Sequence, residues 1–132
     1  MFQNIAPYAA ALALFYVYLS ARTIGFRRKA RVSVGDGGDE SLLRAIRVHA
    51  NFAEYAPLAL LLIAFIEAQG GATWLVHGLG TLLVVARLAH AYGLSSSQAP
   101  GKYRVGGMAG TFATLVISAT WLIANAFYPL GQ

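Results

Sequence analysis

Four long apolar stretches alternate with short polar ones along the 132 residues. The first, IAPYAAALALFYVYLSA, lies within residues 1 to 21, which carry no charged side chain. A helix of about 20 apolar residues crosses a hydrocarbon core of about 30 Å, so a first span is predicted over about residues 4 to 23. Arg22, Arg27, Arg28, Lys29 and Arg31 follow this run. A secretory signal peptide carries its positive charge ahead of the apolar run, so the stretch reads as a retained span. SVGDGGDE forms a loop in which Asp39 or Ser41 can cap a new helix, predicted from about Leu42 to Ala68. AQGGAT is a short uncharged turn. A third span follows from about Thr73 to Leu94, with Trp74 and Tyr92 near its ends, where interfacial aromatics belong. SSSQAPGKYR leads to a fourth, from about Val105 to Phe127, closed by Tyr128 and Pro129. The fold class expected is an all-α integral membrane bundle of four transmembrane helices, one domain over residues 1 to 132.

The second stretch departs from the pattern. Its uncharged part, Tyr55 to Ile66, has 12 residues, too few to span alone. The span must therefore take in Glu54, Asn51 and Arg47. In RAIRVHANFAEYAP, residues Arg44, Arg47, Asn51, Glu54 and Tyr55 recur at spacings of three and four and fall on one side of a helix, with His49 pointing the other way. Leu58 ends the stripe, so the polarity stops partway down. A charged group inside a span costs at least about 2.5 kcal/mol on insertion scales and usually faces a bundle interior or a watery cavity. An internal Arg47 to Glu54 ion pair, two turns apart, is the simplest alternative, but it leaves Asn51 and Tyr55 without a role.

Composition supports the membrane reading. Hydrophobic residues make up 58% of the chain and charged residues 11%, against about 25% charged in soluble domains. Mean hydropathy is +0.58. The net charge of +5 would suggest nucleic acid in a soluble domain. Here all ten Lys and Arg residues lie in two windows, 22 to 47 and 87 to 104. These windows take in the first and third loops, and basic loops favour the cytoplasmic side. Both termini and the AQGGAT turn are expected on the other side, with no nucleic-acid partner. There is no cysteine, so any thiol used must arrive on a bound molecule. His49, His77 and His90 show no metal-ligand spacing.

Further polar groups fall at the same end of the bundle. Arg87 and His90 lie one turn apart in ARLAHAYG, and Lys102 and Arg104 open the fourth span. Arginine offers a planar fork for carboxylates, Glu54 an acceptor for an ammonium, and Tyr55 and Asn51 hydrogen bonds. The set suits a small anionic ligand that also carries an amine, such as a polar peptide. Gly106 and Gly110 in GGMAG have the small-xxx-small spacing that permits close helix contact.

At these residues the chain resembles the MAPEG superfamily, membrane-associated proteins in eicosanoid and glutathione metabolism, and most of all its small bacterial members. The resemblance covers essentially the whole chain and rests on the GDGG loop, RAIRVHANFAEYAP and ARLAHAYG. It implies a homotrimer of four-helix bundles with glutathione sites at subunit interfaces near the cytoplasmic face, in a bacterial inner membrane. In the leukotriene-synthase branch an Arg is followed by Asn four residues on, Glu three further and then Tyr. These match Arg47, Asn51, Glu54 and Tyr55, which would hold glutathione. FRRKARVS resembles that branch's basic stretch, so Arg27, with Arg28 beside it, would meet a glutathione carboxylate. Arg104 matches the arginine that stabilises the thiolate, while Arg87, His90 and Lys102 would add to the pocket. The prostaglandin-synthase branch has Arg just before the Asn, where this chain has Ala50, and Tyr seven residues after the helix-three Arg, where this chain has Leu94. Eicosanoid synthesis is therefore not implied. The function expected is a glutathione-dependent transferase or peroxidase acting on hydrophobic electrophiles or lipid hydroperoxides. The rival is a non-catalytic membrane protein that binds glutathione, a lipid headgroup or another small anion. A transporter fits less well, because the polar stripe does not continue to the far side.

Overall fold

The computed structural model describes residues 1 to 128, and the expected closure at Pro129 lies outside them. Four helices account for most of the described chain: α1 (Ala6–Ala30), α2 (Glu40–Ala68), α3 (Thr73–Ser95) and α4 (Gly101–Phe127). All four are long and apolar enough to cross a membrane. Pro7 sits in the first turn of α1, where its missing N–H is one the helix could not pair anyway.

The connections follow from local chemistry. Arg31 takes a left-handed conformation at the end of α1 (φ 56°), and the next N–H, from Val32, donates to the Arg27 carbonyl at 3.1 Å. Gly37 has φ 59°, and a Cβ there would stand 2.5 Å from a Val32 methyl, so this turn requires glycine twice over. Asp39 caps α2, accepting from the Leu42 N–H at 2.8 Å, which decides between Asp39 and Ser41 in favour of the former. Compared with the predicted spans, α1 runs a further seven residues and α4 begins four residues earlier. The basic residues Arg27, Arg28, Lys29, Lys102 and Arg104 are therefore helical, extending the rods beyond the apolar core.

The helices do not pack equally. α3 and α4 share the most extensive interface, α2 packs on all three others, and α1 and α4 do not touch. Leu12 and Leu19 of α1, Val48, Phe52 and Ile63 of α2, and Val76 and Leu83 of α3 form the central apolar layer. Many large apolar side chains point outward, such as Leu14, Val85, Val116 and Ile123, as expected where the surroundings are lipid and helix contact is driven by close packing instead.

Close approach of α3 and α4 depends on glycine, and of the pair the spacing singled out Gly110 takes part while Gly106 does not. A Cβ on Gly107 would come within 2.5 Å of the His90 backbone nitrogen, and one on Gly93 within 2.3 Å of the Arg104 backbone nitrogen. Gly110 faces Ala86. Gly106 is exposed with nothing within 4 Å. The contact face therefore runs through Gly107 and Gly110, with Gly107 in the place the spacing gave to Gly106.

Candidate functional site

The polar stripe of α2 divides into two strips. At 3.6 residues per turn, Arg44, Asn51 and Tyr55 point toward α3 and α4. Arg44 Nη1 donates to the Leu94 carbonyl at 3.4 Å, and its other contacts hold Glu40. The Tyr55 ring packs edge-on against Phe112 of α4, centroids 5.7 Å apart. Arg47 and Glu54 lie about a sixth of a turn further round, with side chains 52% and 51% exposed and closest atoms 3.9 Å apart. The single face expected for all five is thus two adjacent ones, and the internal ion pair weighed as the alternative is present in a loose form. An exposed pair of this geometry contributes about 0–1 kcal/mol in water. It does not hold the helix in place.

Asn51 meets the group that organises the site. Arg87 is 1% exposed. Its Nη2 donates to Asn51 Oδ1 at 2.6 Å, and its Nη1 to Thr111 Oγ1 at 3.3 Å and to the Met108 sulfur at 3.8 Å. The guanidinium also lies over the rings of Phe52 and Tyr55, at 5.8 and 6.0 Å. One side chain thereby ties α2, α3 and α4 together. Thr111 can accept because its own hydroxyl proton is given to the Gly107 carbonyl at 2.8 Å. Among the described residues no carboxylate pairs with Arg87, and its Nε has no partner.

His90 lies one turn further along α3. It is 4% exposed, and neither ring nitrogen has a hydrogen-bond partner. Buried polar atoms are nearly always paired, so three vacant nitrogens within one turn of helix mark unused hydrogen-bonding capacity. His90, Arg104, Val105, Met108, Ala109 and Phe112 line a groove of about 390 Å³. Tyr55 reaches it through Phe112, and Arg87 through Met108.

The structure thus brings Asn51, Tyr55, Arg87, His90 and Arg104 together, with Arg47 and Glu54 on the adjoining strip of α2. Lys102 is exposed at the same end, its ammonium 5.4 Å from the Tyr103 ring centre. Arg27 stands apart. It lies at the end of α1, donates to the Gly35 carbonyl at 2.8 Å, and belongs to a helix that does not touch α4. Within one chain it does not join the others. His49 faces α1 as its position in the motif implied, with Nε2 3.0 Å from Ser20 Oγ and its ring stacked on Tyr16.

The α4 contributions of Thr111, Met108 and Phe112 were not found from the sequence. Thr111 alone carried a signal, as a hydroxyl within an apolar run. Glu67 was also passed over. Both of its oxygens accept backbone N–H groups at the start of α1, from Asn4 at 2.8 Å and Ile5 at 2.9 Å.

Residues 5 to 124 match the MAPEG family model. The chain belongs to the MAPEG family. Consistent with that membership, it is 37% identical over 123 residues to inner membrane protein YecN of Escherichia coli K12, covering 93% of this chain and 90% of that protein. The YecN protein of E. coli strain CFT073 matches to the same extent. No solved structure matches the chain significantly. MAPEG membership and the four helices make this a membrane protein of the glutathione and eicosanoid metabolism superfamily.

Proposed function

We propose that this MAPEG protein is a glutathione-dependent transferase or peroxidase of hydrophobic electrophiles or lipid hydroperoxides, working as a homotrimer in a bacterial inner membrane. The observation that carries the reading is the buried Arg87 and His90 pair, with three nitrogens left unpaired beside a groove that also holds Arg104. Such atoms favour a polar ligand over a lipid tail.

The donor set fits glutathione. The tripeptide has two carboxylates, one ammonium and one thiol. Arg47 would take a carboxylate and Glu54 the ammonium, each exchanging its weak partner at 3.9 Å for an opposite charge on the ligand. Asn51 has its oxygen committed to Arg87, so its amide N–H groups remain to donate, as does the Tyr55 hydroxyl. When bound, glutathione supplies a sulfur nucleophile, which conjugates an electrophile or, as two thiols oxidised to a disulfide, reduces a hydroperoxide to alcohol and water. Arg104 would hold the negative charge on that sulfur, because a neighbouring cation favours thiolate over thiol. The apolar groove wall of Val105, Met108, Ala109 and Phe112 would admit a hydrophobic second substrate from the bilayer.

The trimer accounts for two otherwise awkward features. The half-exposed Arg47 and Glu54 would be covered by a neighbouring subunit instead of lipid, and Arg27 would reach the site from that neighbour. The E. coli relative's name places that protein in the inner membrane, and the basic loops favour both termini outside the cytosol. Since the chain has no cysteine, single Cys replacements at Ser97 and Gln69 should label from opposite sides of spheroplasts. Labelling from one side would refute the topology.

Isothermal titration of glutathione into the purified, intact oligomer tests the binding. Saturable heat is expected, and none from an intact oligomer overturns the reading. The rival is an anion-binding protein without thiol chemistry, favoured by the same unpaired nitrogens, which any acceptor would satisfy. Stopped-flow thiolate absorbance separates the two: thiolate on mixing supports the enzyme, and binding without it supports the rival.

A further inference from the structure

The basic residues at the end of α1 divide over two sides of the helix. Arg22, Gly25, Phe26 and Lys29 fall on one side by their spacing, and Arg27 on the opposite side. The Arg22 guanidinium lies over the Phe26 ring at 5.2 Å. Its Nη1 is shut off from solvent and has no hydrogen-bond partner. Arg22, Gly25, Phe26 and Lys29 line a niche of about 160 Å³. Gly25 is not required by the fold: its φ is not left-handed and nothing lies within 4 Å of where a Cβ would stand. Its missing side chain leaves the niche open. The ion pairs among the described residues are Arg44 with Glu40 and Arg47 with Glu54, so neither Arg22 nor Lys29 is neutralised within them.

Depth then narrows the ligand. Arg22 lies about 24 Å along the axis from Ala6, and Lys29 about 34 Å, at 1.5 Å per residue. With a hydrocarbon core of about 30 Å, the two cations bracket the level at which acyl chains give way to headgroups. A guanidinium with a desolvated, unpaired nitrogen at that level matches a phosphate oxygen. The ammonium of Lys29, one helical turn above the glycine niche, meets the outer part of the same headgroup.

We propose that the Arg22, Gly25, Phe26 and Lys29 stripe is a binding site for the phosphate of an anionic phospholipid. Arg22 holds a phosphate oxygen, Gly25 admits the headgroup, Phe26 lies along the glycerol end, and Lys29 selects against headgroups that carry their own cation. The site is separate from the groove on α3 and α4, and it does not depend on the glutathione reading.

Native mass spectrometry of the purified full chain in detergent tests this, with dioleoylphosphatidylglycerol, dioleoylphosphatidylcholine and inorganic phosphate as probes. The phosphatidylglycerol should bind more tightly than the phosphatidylcholine. Arg22→Gln and Lys29→Gln should each weaken it about tenfold, as the loss of one hydrogen bond to a charged group does. Arg27→Gln, which removes the same charge from the opposite side, should change it less than twofold. Equal binding of the two lipids overturns the proposal, as does an equal loss in Arg27→Gln, which would show charge without a site. Displacement by millimolar inorganic phosphate would assign the niche to a free anion and overturn the lipid. Lys29 is exposed, so Lys29→Gln decides the matter even if Arg22→Gln fails to fold.

Discussion

Two polar clamps sit at opposite ends of the bundle, and they differ in how completely they are satisfied. At the end where α1 begins, Glu67 gives one oxygen to the Asn4 N–H and the other to the Ile5 N–H. These are donors that the start of α1 leaves unpaired, so every group finds its partner. At the basic end, Arg87 spans three helices but leaves Nε vacant, and His90 beside it leaves both nitrogens vacant. A clamp that uses all its hydrogen bonds is explained by the fold. A clamp with bonds to spare has capacity for a ligand. The chain therefore keeps structure and candidate chemistry on different ends of the same helices.

The largest expected effect breaks the basic clamp. Asn51→Leu removes the 2.6 Å acceptor of a buried guanidinium and leaves it Thr111 and Met108, which should cost about 3 kcal/mol in reversible denaturation. Arg87→Met removes the charge itself and should cost less, about 1–3 kcal/mol. The double variant should recover part of the loss, and strict additivity would show that the two residues do not act together. Arg104→Gln should leave stability unchanged, because the residue is exposed. It should lower glutathione-dependent turnover on the order of 100-fold, and equal turnover would remove Arg104 from its proposed role.

Glu67→Gln sharpens the other half of the comparison. One acceptor oxygen is replaced by a donor facing a backbone N–H, so stability should fall by about 2 kcal/mol while glutathione affinity stays as in the wild type. A loss of affinity would mean the ends are coupled. The smallest effects concern the helix contact. Gly107→Ala drives a Cβ to 2.5 Å from the His90 backbone and should cost about 1–2 kcal/mol. Gly106→Ala meets open space and should be neutral or stabilising by up to about 1 kcal/mol. Thermal melts of the two variants in one detergent make the check.

Much of this was legible in the sequence, since helix length and apolar runs are set locally. Four spans, a cap at Asp39 or Ser41 and the separation of His49 from the polar side all follow from period and charge. The entry of Arg47, Asn51 and Glu54 into a span follows from the shortness of the apolar run after them. The split of the stripe into two strips does not, because a spacing of three or four defines a side only to within a wide arc. Which strip faces protein depends on where α3 and α4 lie. Thr111 and Met108 were missed for that reason: they become partners of Arg87 only through the crossing of α3 and α4. Glu67 was missed because its partners are backbone groups more than 60 residues away. Gly107, not Gly106, carries the contact because phase along a helix, not spacing alone, sets which glycine faces a neighbour.

The most direct test of the central claim is a structure of the intact oligomer with glutathione added. Density is expected against Arg47 and Glu54 with the 3.9 Å pair opened, the sulfur near Arg104, and a ligand atom within hydrogen-bond reach of His90. An unchanged Arg47 to Glu54 pair, with His90 and Arg87 Nε still unpaired and only lipid in the groove, would contradict it.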